Sequence, residues 1–315
     1  MTRASFLIDT GPAIGLGHLS RSLILLAALE RQGVACSLYC ADPAAARSLG
    51  RAAEPIPLRL SDLPQTDLIV CDSYRLSPAD YMALHDRAKL LVALDDTAER
   101  SLPVDVVINH NLYAPQLDYG RVSTAKVLAG PDYALVDDRV VAAARRHAAQ
   151  APDNAIVMSF GGTDDGTIAA RVARELLPRT DARIDVIVAA SRTPSPAIRE
   201  LTQAKSDRVV LHHGPDVPAL LARARLYLGA AGMMSFEAFA IGLNLVVVPI
   251  ADNQRPGAEA LVAFGHDMVD DVDAVRLAEI AARRLREPPT IKPAPIDGGG
   301  PDRLAVALLK ELAAR

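Results

Sequence analysis

Short apolar segments alternate with helix-like segments along most of this chain, and this alternation limits its fold more than any other feature. The first apolar segment, at 5–8, ends at Asp9 and is followed by a glycine-rich turn. A helical pattern then begins at His18, with leucines three to four residues apart, and Gly33 follows as a candidate C-cap. Later apolar segments that also precede Asp, Asn or Cys-Asp lie at 67–70, 90–94 and 104–108. Strands that alternate with helices predict parallel sheets, in which ligands bind beyond the carboxyl ends of the strands.

A second series of the same kind begins after a turn at 151–154. An apolar segment at 155–160 is followed by Gly161, Gly162 and a helical pattern at 168–177. The remaining predicted elements are strands at 184–189, 209–212, 226–229 and 245–250 and helices at 272–286 and 302–314. We therefore predict an α/β protein of two doubly wound, Rossmann-like domains, at 1–150 and 151–315, with the active-site cleft between them. A connector rich in proline and glycine could carry the last helix back across the first domain.

Composition argues against several classes of protein. A formal net charge of -4 lacks the basic face that a nucleic-acid-coating protein needs. The 3 cysteines contain no CxxC pair, which argues against a disulfide framework and a zinc finger. Tryptophan is absent and aromatic residues make up 4%, so we do not expect a sugar site of stacked rings. No segment reaches the length of a membrane span and no apolar signal region follows the first residues, so we expect a cytoplasmic protein.

The segment from Asp9 to His18 is the first candidate for a ligand site. Gly15 and Gly17 let the backbone approach a ligand closely, at a point where a helix begins and its free N–H groups attract anions. The segment is not GxGxxG, because Ser20 fills the third position, so a dinucleotide site is only weakly indicated. His18 is a candidate general base, since a neutral imidazole accepts protons near pH 7. The alternative is a histidine that caps a turn. Asp9 is placed either to orient the ring or to cap the turn.

Two glycine-containing segments in the second half also precede helices. Gly161, Gly162 and Thr163 offer backbone amides in a strand–turn–helix connection, although a purely structural turn explains them as well. At 228–237, small residues run directly into a helix whose N-terminus can bind phosphate. Glu237 lies among apolar residues in that helix, which favours a buried carboxylate that accepts hydrogen bonds from ribose hydroxyls. A surface glutamate favoured by the helix dipole is the alternative.

Two further strand ends carry side chains suited to a polar substrate. Asn253 and Gln254 follow a strongly apolar strand and offer paired donors and acceptors for sugar hydroxyl or acetamido groups. Asp72 and Tyr74 follow an earlier strand and are candidates for hydrogen bonds to substrate.

The remaining polar pairs are interpreted structurally. Paired aspartates at 95–96, 137–138, 164–165 and 270–271 are assigned to caps and turns, so we predict no metal site and no cofactor. His212 and His213 form a strand-end pair without an obvious acid partner, and no GxSxG nucleophile elbow occurs.

A series of motifs in fixed order carries a family resemblance over nearly the whole chain. The motifs are DTGPAIGLGHLSR at 9–21, CDSY at 71–74, LDD at 94–96, NHNLYA at 109–114, GPDYAL at 130–135, SFGGTD at 159–164, LGAAGMMSFE at 228–237, GL at 242–243, ADNQ at 251–254 and DGGGPDR at 297–303. In this order they resemble the nucleotide-sugar hydrolases of pseudaminic acid biosynthesis and the related spore-coat polysaccharide proteins. Those hydrolases cleave UDP from UDP-2,4-diacetamido-2,4,6-trideoxy-β-L-altropyranose.

The resemblance implies a fold of the glycosyltransferase-B type, with the catalytic histidine on the first domain and UDP on the second. His18 matches the proposed general base, and Tyr74 and Asn253 match positions near the sugar and the attacking water. Gly232, Ser235 and Glu237 match the segment that contacts diphosphate and ribose. The predicted catalytic residues are His18, Asn253, Tyr74 and Asp9. The predicted ligand-binding residues are Gly15, Gly17, Arg21, Asp72, Gly161, Gly162, Thr163, Gly232, Ser235, Glu237 and Gln254.

The chain departs from the family pattern in three segments, and these departures keep other functions open. Leu7 and Ala238 stand where the family usually has arginine, Phe236 stands where it commonly has tryptophan, and no arginine directly follows the segment at 130–135. A glycosyltransferase of the same fold, using a UDP-sugar donor, is the first alternative. A non-catalytic nucleotide-sugar-binding homologue is the second. In each case the expected partner is a UDP-sugar, without nucleic acid or stable membrane insertion, and the oligomeric state is left open.

Overall fold

Two compact units make up the computed structural model, which describes residues 1–11, 17–56, 60–287 and 290–315. The first unit comprises Met1–Val136 together with Ile296–Arg315, and the second comprises Asp137–Pro295. Each unit is built on its own sheet, and every strand pairing in both sheets is parallel among the residues described. No helix in these ranges combines the length and the apolar character needed to cross a membrane.

The first unit contains a parallel sheet with helices on its faces. Its strands are β1 (Arg3–Ile8), β2 (Ala35–Cys40), β3 (Glu54–Pro55), β4 (Thr66–Asp72), β5 (Ala88–Leu94), β6 (Val106–Asn109) and β7 (Lys126–Ala129). Its helices are α1 (Gly17–Arg31), α2 (Pro43–Ser48), α3 (Pro78–His85) and, from the end of the chain, α11 (Gly300–Ala313). The central strands β4 and β5 are buried along most of their length because both faces of a parallel sheet are covered.

The strand order of this sheet is β3-β2-β1-β4-β5-β6-β7 within the described residues. Strand β1 therefore pairs with β2 on one side and with β4 on the other, and the winding direction of the chain reverses between β1 and β4. The register pairs Ile8 with Asp72, so the segments that follow β1 and β4 emerge side by side. Open α/β sheets bind ligands outside the carboxyl ends of the strands at such a reversal.

The second unit repeats this arrangement. Its strands are β8 (Ala155–Ser159), β9 (Arg183–Val188), β10 (Val209–His213), β11 (Leu226–Ala230), β12 (Asn244–Val248) and β13 (Asp267–Met268), in the order β10-β9-β8-β11-β12-β13. Its helices are α4 (Asp138–Ala149), α5 (Thr167–Leu176), α6 (Pro196–Ala204), α7 (Val217–Leu221), α8 (Met233–Ile241), α9 (Arg255–Val262) and α10 (Ala274–Arg286). The reversal lies between β8 and β11. Because β8, β11 and β12 are parallel neighbours, the turns that follow them lie side by side at one edge of the sheet.

Helices α4 and α11 show where the two units divide. The sequence analysis placed residues 139–150 before the boundary, whereas the structure groups α4 with the second unit. The buried residues of α4 are Val140 and Ala143, and the helix packs against α7 and α8. Helix α11 packs against α1 and contributes Leu304 and Leu308 to the core of the first unit.

The packing of α11 against the first unit requires a residue without a side chain at Gly300. A Cβ atom at Gly300 would lie 2.2 Å from the backbone oxygen of Ala134, whereas one at Gly299 would mainly meet the flexible side chain of Arg303. Gly300→Ala should therefore lower the free energy of unfolding by about 1–3 kcal/mol, as overpacking does. Gly299→Ala, the matched control, should change it much less. Urea denaturation of both variants tests this prediction, and equal losses would contradict it.

Candidate active site

His18 and Asp72 form a buried pair at the reversal point of the first sheet. His18 is the second residue of α1, directly after Gly17, and Asp72 is the last residue of β4. The imidazole Nδ1 lies 2.5 Å from Asp72 Oδ1. When Nδ1–H donates to this carboxylate, Nε2 becomes the proton acceptor of the ring. Nε2 has no hydrogen-bond partner among the residues described. The pair thus has the geometry of an oriented general base.

Arg21 and Ser22 hold Asp72 in place. One helical turn after His18, Arg21 donates from Nε to Asp72 Oδ2 at 2.7 Å and from Nη2 to Oδ1 at 2.7 Å. The Ser22 hydroxyl donates to Oδ2 at 3.0 Å. Burial disfavours the charged carboxylate, but the charge of Arg21 and the hydrogen bonds from Arg21 and His18 outweigh it and hold the pKa of Asp72 well below its usual range. Asp72 is therefore a fixed anion, and its oxygens are occupied by protein donors.

Asp96 lies on the far side of Arg21. The Nη1 group of Arg21 donates to both Asp96 oxygens, at 2.8 and 2.9 Å. The Tyr74 hydroxyl and the Asn111 amide, the latter at 2.7 Å, also donate to this carboxylate. Although burial opposes ionisation, Arg21 and the Tyr74 hydrogen bond keep the pKa of Asp96 at about 2. One guanidinium thus joins two ionised carboxylates in the interior of the unit.

Tyr74 and Asp9 complete the first-unit cluster. The Tyr74 ring meets the His18 ring edge-on, with centroids 4.8 Å apart. Asp9 accepts the backbone N–H of Tyr74 at 3.0 Å. The carboxylate that the imidazole meets is Asp72 rather than Asp9, and the N–H that Asp9 accepts belongs to the turn after β4 rather than to the turn that follows Asp9 in sequence.

The turn after β8 contains the second glycine pair. Gly161 has φ +84°, a left-handed conformation that glycine adopts without strain. Arg192, from the turn after β9, donates from Nε to the backbone oxygen of Gly162 at 3.1 Å. Thr163 is exposed. The Asp164–Asp165 pair caps the start of α5, as expected: Asp164 accepts the N–H of Ile168 and Asp165 accepts that of Thr167.

The turns after β11 and β12 place Gly232 near Gln254. Gly232 is the N-cap of α8, and a Cβ atom there would lie 3.7 Å from Gln254 Nε2. Gln254 Oε1 accepts the N–H of Ile250 at 3.0 Å, and Ser235 donates to the Gly232 oxygen at 2.7 Å. Asn253 is exposed. The free N–H groups at the start of α8 therefore lie at the carboxyl edge of the second sheet, where an anion would be favoured.

Glu237 is a half-buried carboxylate in α8. It makes no hydrogen bond or ion pair with any residue in the described ranges. Burial, reinforced by the negative charge of Asp137 and partly offset by Arg139, raises the pKa of Glu237 to about 7. A half-buried carboxylate without hydrogen bonds lowers the stability of the folded protein, unless a bound ligand donates hydrogen bonds to it.

Glu237 should make the stability of the second unit depend on pH. The pKa of an unfolded glutamate is about 4.3, and the folded value is higher, so the wild type loses stability as pH rises from about 4 through 7. Glu237→Gln removes this penalty. We expect this variant to exceed the wild type in free energy of unfolding at pH 8 and to approach it at pH 4. The exposed Glu200→Gln serves as the control in urea denaturation at both pH values, and a Glu237→Gln protein less stable than the wild type at pH 8 would contradict the expectation.

The predicted residues thus fall into two separate groups. His18, Tyr74, Asp9, Arg21 and Asp72 come together in the first unit. The other group lies at the carboxyl edge of the second sheet and consists of Gly161, Gly162, Thr163, Gly232, Ser235, Glu237, Asn253 and Gln254. Gly15 lies outside the described residues. No group of three or more His, Cys, Asp or Glu side chains within the described ranges is arranged to hold a metal ion.

The sequence did not predict the roles of two aspartates, Asp96 as a partner of Arg21 and Asp185 as a partner of His212. Asp96 was assigned to a turn, and His212 was described as lacking an acid partner. His212 Nε2 in fact lies 2.8 Å from Asp185, which is buried in β9 and also bound by Arg183. The only signal for Asp185 was a charged residue with apolar strand residues on both sides of it.

Comparison with known proteins supports the predicted resemblance and fold. No family model matches the chain. The chain is 24% identical over 274 residues to the UDP-2,4-diacetamido-2,4,6-trideoxy-β-L-altropyranose hydrolase of Campylobacter jejuni, covering 84% of this chain and 97% of the relative. This similarity confirms the resemblance.

Solved structures share the architecture at low sequence identity. MurG of Acinetobacter baumannii superposes with a TM-score of 0.64 at 13% identity, covering 98% of this chain and 100% of that one. MnaA of S. aureus, solved with UDP, gives 0.65 at 14%, covering 100% and 98%. UGT89C1 of Arabidopsis thaliana, complexed with UDP, gives 0.64 at 14%, covering 98% and 100%. With its two parallel sheets, the chain therefore has a fold of the glycosyltransferase-B type, as predicted.

Proposed function

We propose that this chain is a nucleotide-sugar hydrolase that releases UDP from a UDP-linked diacetamido-trideoxyhexose, in a pseudaminic-type nonulosonic acid pathway. The observation that carries the proposal is the His18 imidazole held at Nδ1 by Asp72, with Nε2 left as acceptor, at the reversal point of the first sheet. The similarity to the C. jejuni hydrolase over most of both chains supports the substrate class.

The proposed reaction is a single displacement by water at the anomeric carbon. His18 Nε2 takes a proton from water while the water oxygen bonds to C1 on the face opposite UDP. The bond between C1 and the diphosphate oxygen breaks, its electron pair leaves with UDP, and the configuration at C1 inverts. Asp72 remains ionised and stabilises the imidazolium that forms, as the carboxylate of a Ser-His-Asp triad does.

The nucleotide would bind at the carboxyl edge of the second sheet. The N-terminus of α8 at Gly232 offers backbone N–H groups to the diphosphate, and these groups also stabilise the leaving anion. Glu237 would accept hydrogen bonds from the ribose hydroxyls. These hydroxyls would be the hydrogen-bond donors that the carboxylate lacks among the described residues. Glu237→Gln should therefore bind UDP more weakly than the wild type at pH 8, although it folds more stably.

The proposal is tested by NMR of the purified protein mixed with UDP-2,4-diacetamido-2,4,6-trideoxy-β-L-altropyranose, without added metal. A hydrolase yields UDP and free sugar, and the first-formed anomer has the inverted configuration. UDP release that requires an added sugar or lipid acceptor would instead establish the transferase alternative. Binding of UDP without turnover of any tested UDP-sugar would establish the non-catalytic alternative.

A further inference from the structure

The two consecutive aspartates after β5 belong to different networks. Asp95 accepts the N–H groups of Thr97 and Ala98, at 3.1 and 2.7 Å, and the Tyr119 hydroxyl at 3.1 Å. Arg100 also donates to it, at 3.3 Å. Asp95 thus stabilises its own turn, including Ala98, which has φ 55°. This role agrees with the structural interpretation of the pair.

Asp96 instead ties together three segments that are distant in sequence. Its donors are Arg21 from α1, Tyr74 from the turn after β4, and Asn111 from the turn after β6. Two of these donors touch the histidine: the Tyr74 ring meets the His18 ring edge-on, and Arg21 Nη2 lies 3.5 Å from His18 Nδ1. The carboxylate that the imidazole itself meets is Asp72, so Asp96 can fix the position of the ring only through these neighbours.

We propose that Asp96 is a positioning residue for the His18 base, acting through Arg21 and Tyr74; the catalytic part of this inference rests on the proposed function. Asp96 binds the Nη1 side of the guanidinium through both oxygens, and this fixes the plane in which Nε and Nη2 meet Asp72. Without that anchor the guanidinium can rotate, and the carboxylate that orients His18 loses its rigid support. The hydroxyl of Tyr74 is likewise directed inward by Asp96, so the ring is held against the imidazole.

Charge supports the same role. Asp72, Asp96 and Arg21 together carry one net negative charge beside His18. A net negative environment favours the imidazolium that forms as the proton is transferred. Replacing Asp96 with asparagine would remove the anchor's charge and leave the three-residue cluster neutral.

The test compares Asp96→Asn with Asp95→Asn, a matched change at the adjacent buried aspartate. Long-range proton–nitrogen NMR of the imidazole reports the tautomer and mobility of His18 without any substrate. We expect a single Nδ1–H tautomer in the wild type and in Asp95→Asn, and a mixture of tautomers or a mobile ring in Asp96→Asn. In hydrolysis assays, Asp96→Asn should lower kcat by up to about 100-fold, as misplacement of a reacting group does, with KM nearly unchanged.

Asn111→Ala removes one hydrogen-bond donor to Asp96 without changing a charge. If Asp96→Asn does not fold, this variant tests whether Asp96 positions His18. It should shift the His18 ring signals in the same direction by a smaller amount. A wild-type tautomer in both variants, or an equal effect of Asp95→Asn, would overturn the positioning role. If the wild type hydrolyses no UDP-sugar, the proposed function fails, whereas the NMR comparison still tests the role of Asp96.

Discussion

Replacing His18 with alanine should lower the turnover of the UDP-sugar by about 10²–10⁴-fold, the usual contribution of a general base. UDP affinity should stay nearly the same, because the proposed nucleotide residues lie on the second sheet and His18 lies on the first. The measurement pairs UDP release under saturating substrate with calorimetric titration of UDP.

Two control variants separate base catalysis from a structural role of His18. His18→Asn keeps a side-chain donor for Asp72 but cannot accept the proton, so it should be as inactive as alanine while folding more stably. His85→Ala removes a half-exposed histidine from α3 and should leave turnover unchanged. Loss of UDP binding with turnover per bound substrate intact would contradict the assignment of His18 as the base.

Strands with both faces buried were accessible from the sequence alone. The predicted strand at 226–229 lies within β11, whose residues are all buried, and the predicted helix at 168–177 is shifted from α5 by a single residue. Elements at the edges and on the surface were not predicted, for example β7, a four-residue strand whose first two residues are exposed. Short half-exposed segments lack the apolar periodicity on which the prediction rests.

Individual site residues could be predicted, but not the pairs that they form. His18 was singled out by its glycines and Asp72 by its place at a strand end, yet the two are 54 residues apart. Their contact depends on β4 lying next to β1, which no local pattern reveals. The same holds for Asp185 and His212, on neighbouring strands 27 residues apart. In the pair at 95–96, the local turn explains Asp95, whereas Asp96 depends on three distant segments.

Replacing Asp72 with asparagine should combine a loss of stability with a loss of turnover. Removing one partner of a buried ion pair costs about 3–5 kcal/mol, and the lower end applies here because Arg21 keeps Asp96. Asparagine in the orienting position can also hold the wrong imidazole tautomer, which costs up to about 10⁴-fold in turnover in a Ser-His-Asp triad. UDP release and urea denaturation at pH 7 measure the two effects.

The stability difference between the wild type and Asp72→Asn should shrink in acid. The pKa of Asp72 is lower in the folded protein than the unfolded value of about 3.9, so its contribution is fully present above that pH and is lost progressively as pH falls from there through the lower folded value. The difference in free energy of unfolding between the wild type and Asp72→Asn is therefore smaller at pH 3 than at pH 7 if Asp72 is ionised in the fold. Asp118→Asn, an exposed aspartate of the same unit, should match the wild type at both pH values. A stability difference that stays constant down to pH 3 would show that the contribution of Asp72 does not depend on its charge, and the oriented-base arrangement would lose its physical basis.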